Sequence, residues 1–230
     1  MNGRGADCAA NPSAGPVVTG EAATAALFDL DGVILDTEPQ YTVFWKDICA
    51  RYLGDGSLSL AIKGQTLDRI YRKFFDGQTE LQREITAKLD EFEANMDMPY
   101  IPGVIPFVQE LHAHGVRTAV VTSSNKPKME SVYRRHAELP SLFDHILTAE
   151  RFTRSKPDPE PYLLGAADCG VPPERCFVFE DSLNGIAAGN AAHMAVIGLA
   201  TTNPAEQIKA QCRLVVKDFT ELDYSRMMRA

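Results

Sequence analysis

A chain of 230 residues with a formal net charge of −8 is unsuited to neutralising nucleic-acid phosphates or an anionic membrane surface, since either would meet like charge without a localised basic patch. With 45% hydrophobic and 23% charged residues, it suits one ordinary globular domain, or such a domain with a modest insert. Five widely spaced cysteines without a CxxC pair argue against a zinc site and for buried free thiols in a cytoplasmic protein, and no apolar run approaches the ~20 residues that span a bilayer.

The first two dozen residues are rich in alanine, glycine and proline and lack the basic start and continuous apolar centre of a secretory signal, so residues 1–24 are expected to form a flexible extension. An apolar strand is expected next, at "AALFD" (25–29), and it runs into three carboxylates, Asp29, Asp31 and Asp36, with Gly32 among them. Carboxylates crowded at the end of a buried strand repel one another unless a cation neutralises them. Oxygen donors without histidine or cysteine select a hard ion, Mg²⁺ above all.

Three stripes of helical period follow. They are Tyr41, Phe44, Trp45, Ile48 and Tyr52; then Leu67, Ile70, Tyr71 and Phe74; then Leu81, Ile85, Leu89, Phe92 and Met96. This stretch is too long for one crossover, so a small helical domain is expected over residues 38–99, with "MPYIPG" (98–103) as the return hinge. Residues 25–37 and 100–230 then form the main domain.

There, Val104, Phe107, Val108 and Leu111 fall at i, i+3, i+4 and i+7 before the stop signal Gly115. Apolar strands are expected at "TAVVT" (118–122), "HILT" (145–148), "CFVFE" (176–180), "MAVIGLA" (194–200) and "RLVV" (213–216), most of them separated by helical segments. Such alternation predicts an α/β fold: a Rossmann-like parallel sheet with helices on both faces and ligands outside the carboxyl ends of its strands.

Four polar segments stand at those ends: Asp29 with Asp31, Thr122 with "SSN" after it, Lys156 in "SKPDPEPY", and Glu180 with Asp181. Metal, ammonium, hydroxyl and backbone N–H together suit a phosphoryl group. Asp29 is the candidate nucleophile, able to form an acyl phosphate, and Asp31 the candidate acid and base. Gly32 would let the backbone turn tightly toward the phosphate. Thr122 and Ser124 have an alternative as helix caps, and for Ser124 cap and phosphate contact stand equal. His112, His114, His136, His145 and His193 fall outside these segments and are read as surface or packing residues.

With "DLDGV" (29–33), "VVTSSN" (120–125), "SKPDPEPY" (155–162) and "FEDSLNGIAAG" (179–189) in this order, the chain resembles the haloacid dehalogenase superfamily, in its branch with a helical cap inserted after the first strand. The resemblance covers residues 25 to 220. It implies Asp29 as nucleophile and Mg²⁺ ligand, and Asp31 as acid and base that also gives the metal its backbone carbonyl. Thr122 and Lys156 would hold the phosphoryl group; Asp181, with Glu180 directly or through water, would complete the magnesium shell. Gly32, Thr37, Lys63, Ser123, Ser124 and Asn125 are the candidate substrate contacts, and Lys63, Gly64, Gln65 and Thr66 the candidate specificity loop.

The expected activity is a Mg²⁺-dependent phosphohydrolase acting on small phosphate esters, sugar phosphates foremost, as a monomer or weak dimer. The alternative is a β-phosphoglucomutase, since "DGVILDTE" and "KGQTLDRI" are similar to both groups. In the mutases a histidine stands four residues after the threonine that matches Thr37. Here that residue is Tyr41, and Lys63 stands where the mutases commonly carry arginine, which favours the phosphatase. A dehalogenase, or an interaction protein that has kept only the scaffold, is disfavoured by the joint presence of Asp29, Asp31, Lys156 and Asp181.

Overall fold

The computed structural model describes residues 23–230. The extension expected at residues 1–24, with Cys8, therefore lies outside the described residues except for Ala23 and Thr24. These two are tied down: the Ala23 carbonyl accepts from Arg175 Nε and that of Thr24 from the Arg117 amide, each at 2.9 Å.

Six strands form one parallel sheet in the order β3-β2-β1-β4-β5-β6. They are β1 (Ala25–Phe28), β2 (Arg117–Val121), β3 (His145–Leu147), β4 (Cys176–Glu180), β5 (Ala195–Leu199) and β6 (Leu214–Val216). Each lies within about a residue of the apolar run expected for it, because a strand covered on both faces reads as a continuous apolar segment. β1 takes the centre, and all four of its residues are buried. The chain winds to β3 on one side of β1 and then crosses to β4 on the other, so the carboxyl end of β1 lies where the order reverses.

Successive residues of each strand face opposite layers. Ala26, Phe28, Val120, Phe179 and Ile197 pack with α4 (Val104–Ala113), α5 (Lys126–Arg135), α6 (Leu139–Leu142) and α10 (Tyr224–Met228). Phe28 and Phe179 stack there with ring centroids 4.5 Å apart. Leu27, Ala119, Val121, Val178 and Val196 pack with α7 (Glu160–Cys169), α8 (Leu183–Ala191) and Ile208 of α9 (Ala205–Ile208).

Between β1 and α4 come α1 (Glu38–Leu53), α2 (Leu67–Phe74) and α3 (Thr79–Asn95). Their stripes meet in a separate apolar cluster that includes Trp45, Ile48, Ile70, Phe75, Ile85 and Leu89. Met96, read as the last residue of the third stripe, instead follows the end of α3 and packs into the main core. The segments that enter and leave the insert pair with each other: the Asp36 amide donates to the Pro99 carbonyl at 2.8 Å, the Ile101 amide to that of Ile34 at 2.9 Å, and Leu35 bridges Tyr100 antiparallel.

Candidate active site

Asp29 is the first residue past β1, its amide fixed by the Phe179 carbonyl at 3.0 Å. Its Oδ1 accepts from Lys156 Nζ at 2.8 Å. Lys156 is fully buried and uses its remaining donors on Glu180 Oε1 at 2.7 Å and the Val121 carbonyl at 3.0 Å. Burial opposes its charge, but Asp29 and Glu180 outweigh burial and hold its ammonium above the ordinary lysine range. Asp29 is pushed up to about 7, by burial first; Lys156 counteracts and Glu180 adds to the rise.

Glu180 is filled by donors on both oxygens. Oε1 accepts from Lys156 and from the Tyr162 hydroxyl at 2.8 Å, while Oε2 accepts from the Asp181 and Ser182 amides and the Ser182 hydroxyl. Asp181 is the opposite case. It is buried, neither carboxylate oxygen has a hydrogen-bond partner, and the nearby Thr202 hydroxyl does not reach bonding geometry with either. Burial, then the charges of Glu38, Glu180 and Asp29, raise its carboxyl well above the ordinary range.

One carboxylate oxygen from each of Asp29, Glu180 and Asp181 lies within 4.8 Å of the other two. An all-oxygen set that includes the buried, unpartnered oxygens of Asp181 fits a small hard cation and leaves a cost without one. Gly32 makes room for this arrangement: its φ is +81°, and a Cβ there would stand 2.1 Å from Asp181 Oδ2.

Asp31 lies on the same loop but points into a different set of partners. Oδ1 accepts from the Thr37 hydroxyl at 2.5 Å and from Lys128 Nζ at 2.9 Å, and Oδ2 from the Ser124 hydroxyl at 2.9 Å. Burial is the largest influence on its carboxyl and acts upward. The Lys128 charge and the three hydrogen bonds together exceed it and hold the group below the ordinary range.

A cavity of about 700 Å³ opens over this end of the sheet and reaches into the helical insert. Asp29, Asp31, Thr122, Ser123, Ser124, Asn125 and Asp181 line it from the sheet side, and Lys63, Gly64, Gln65 and Thr66 from the insert. Polar contacts join the two sides. The Ser123 hydroxyl donates to the Gly64 carbonyl at 3.2 Å, Asn184 Nδ2 to that of Lys63 at 2.8 Å, and Arg69 to that of Ser155 at 3.3 Å. Lys63 Nζ pairs with Glu38 Oε2 at 3.1 Å.

Several of the expected site residues have a second, structural use. Thr122 Oγ1 accepts from the Ser124 amide at 3.0 Å, Asn125 caps α5, and Thr66 caps α2. Ser124 is not the helix cap; it lines the cavity, and its hydroxyl donates to Asp31. Thr37 is fully buried and meets Asp31 rather than the cavity. Sequence reasoning missed Lys128, Glu38 and Glu93. For Lys128 the available signal was its place beside Met129 and four residues before Val132, on the buried side of α5.

A model of the haloacid dehalogenase-like hydrolase family matches residues 23–193. The chain is similar to hexitol phosphatase A of Escherichia coli K12, 34% identical over 178 residues that cover 75% of this chain and 81% of that one. It is also similar to the fructose-1-phosphate phosphatase YqaB of the same bacterium, 32% identical over 174 residues, or 73% of this chain and 92% of that one. Among solved structures, a β-phosphoglucomutase from Clostridium difficile shares the fold with a TM-score of 0.73 at 24% identity, over 90% of this chain and 96% of that one. The chain therefore belongs to the haloacid dehalogenase-like hydrolases and is an enzyme of their phosphatase kind.

Proposed function

We propose that this enzyme is a Mg²⁺-dependent phosphohydrolase that passes the phosphoryl group of small sugar or polyol phosphates through Asp29 to water. The observation that carries the reading is the convergence on the lining of one cavity of Asp29, held from behind by the buried Lys156, and the unpartnered Asp181. Asp29 and Asp181 would hold the cation, with the Asp31 backbone carbonyl as the resemblance implies. The ion would supply charge neutralisation for the phosphoryl oxygens. Glu180 acts by holding Lys156, which keeps the Asp29 carboxylate in place for attack.

Asp31 exchanges the proton. The phosphoryl dianion arriving beside it favours its protonated form, and the water consumed in the second step restores the proton spent in the first. Residues 38–99 act as the cap, and the loop at Lys63–Thr66 encloses the leaving group against water. Tyr41 speaks for hydrolysis over mutase action, since its hydroxyl is committed to Glu93 and Lys128.

The test is phosphate release, with Mg²⁺ and with EDTA, over a panel of sugar phosphates, polyol phosphates and nucleotides. Glucose 1-phosphate with its bisphosphate is assayed in parallel for glucose 6-phosphate. Release from one preferred ester supports the proposal; glucose 6-phosphate without release replaces it with the mutase.

Two consequences concern the cation. Asp29 is raised from 3.8 to about 7 and Asp181 is raised as well, so both favour the protonated folded state. In metal-free protein, the stability that Asp29 contributes is complete below about pH 4 and is lost as pH rises through about 7, and that of Asp181 is likewise lost as pH rises. Mg²⁺ at neutral pH is expected to raise Tm, and Asp181→Asn to remove most of that rise, as read by thermal melts with and without the ion.

Gly32→Ala is expected to raise the Mg²⁺ concentration needed for half-maximal turnover and to lower turnover ~100-fold, because a displacement of about 1 Å at a reacting centre costs that much. A magnesium titration of the variant checks it. An unchanged curve would mean that Asp181 is not where the ion sits.

A further inference from the structure

Lys128 and Lys156 are the buried lysines among the described residues. Lys156 belongs to a signature segment, whereas Lys128 belongs to none. An ammonium removed from water is costly unless it is paired and hydrogen-bonded. Lys128 meets that cost with Asp31 Oδ1 at 2.9 Å and with the Tyr41 hydroxyl, and it stands 4.4 Å from the centre of the Tyr41 ring. Tyr41 in turn donates to Glu93 Oε1 at 2.6 Å. Lys128 is therefore held between Asp31 on the sheet side and α1 and α3 of the insert.

The two oxygens of Asp31 are held unequally. Oδ1 takes two donors, the Thr37 hydroxyl and the charged Lys128; Oδ2 takes one neutral hydroxyl, that of Ser124. A charge-assisted bond plus a short hydroxyl bond is much harder to release than one neutral bond.

We infer that Lys128 is a positioning residue: together with Thr37 it anchors Oδ1 of Asp31 and leaves Oδ2 as the oxygen that exchanges the proton. This rests on the phosphohydrolase reading above. In the first step an Asp29 oxygen attacks phosphorus, the bond from phosphorus to the leaving oxygen breaks, and that oxygen takes the proton from Asp31 Oδ2. In the second, water attacks phosphorus, the bond to Asp29 breaks with its electron pair returning to the carboxylate, and the proton of the water passes to Asp31 Oδ2. Lys128 keeps its own protons throughout. Since Tyr41 and Glu93 hold Lys128 from the insert, Asp31 is fully anchored only while the insert is seated on the sheet.

The experiment compares kcat/KM for phenyl phosphate and p-nitrophenyl phosphate, two esters of similar shape whose leaving oxygens differ in their need for a proton. Lys128→Met is expected to lower the phenyl phosphate value at least tenfold more than the p-nitrophenyl value, the pattern also expected of Asp31→Asn. Thr37→Val, an isosteric change that removes the other anchor, is expected to show the same selective loss and serves if Lys128→Met does not fold. Equal losses on both esters in a folded variant would make Lys128 a merely structural residue and overturn the inference. Wild-type enzyme that releases phosphate from neither ester, nor from any sugar phosphate with Mg²⁺, would instead overturn the phosphohydrolase reading on which it rests.

Discussion

Asp29→Asn is expected to abolish phosphate release, by ~10,000-fold or more, the scale on which removal of a covalent nucleophile acts in other enzymes. An amide nitrogen or oxygen in this place does not form the acyl phosphate, and the path through Asp29 closes. The fold should survive the change. Asp29 is buried and its carboxyl is pushed up to about 7, so its ionised form is held at a cost that the neutral amide does not carry. Lys156 retains Glu180 and the Val121 carbonyl. Phosphate release measured beside a thermal melt decides the matter. A cooperatively melting variant with a tenth of wild-type turnover would remove Asp29 from the chemistry.

Lys156→Met should damage both activity and stability. Its ammonium bonds Asp29 and Glu180 at 2.8 and 2.7 Å with no exposure to solvent, so its loss leaves two buried carboxylates facing each other. Breaking a buried pair in this way costs ~3–5 kcal/mol. Turnover is expected to fall by ~1,000-fold, the scale of losing a preorganised group that meets charge in the transition state. A second change separates the two effects. Lys156→Met with Glu180→Gln removes one of the stranded charges, so chemical denaturation should show much of the stability restored while phosphate release stays lost. Recovery of both would mean that Lys156 serves the fold alone.

The sheet was legible because parallel strands covered on both faces are short continuous apolar runs, as "CFVFE" at β4 shows. Asp29, Thr122, Lys156, Glu180 and Asp181 were legible because each follows or ends such a run, or stands in a segment of unusual composition. Lys128 was not. It sits in "NKPKMESVYRR", where charge on a helix ordinarily means a solvated face; Met129 and Val132 mark its side of α5 as buried, but its partners Asp31 and Tyr41 come from distant parts of the chain. Glu93 is hidden for the same reason, as its partner Tyr41 is 52 residues away. Thr37 was recognised as part of the site, but which atom it serves depends on how the loop after β1 curls, with the Leu30 carbonyl accepting from the Ile34 amide at 2.8 Å and that of Leu35 at 2.9 Å.

The paired segments at residues 34–36 and 99–101 bear on how the molecule can be rebuilt. Because the chain departs and returns through neighbouring backbone positions, the sheet sees everything between them as a cassette on a two-stranded neck. Helical inserts of other lengths and sequences can be exchanged at that neck without altering strand order or the placing of Asp29, provided the two strands of the neck still find each other. On the proposed function, leaving-group preference and the nucleophile Asp29 are thus separable along the chain, provided that an exchanged insert still supplies the contacts by which Tyr41 and Glu93 hold Lys128.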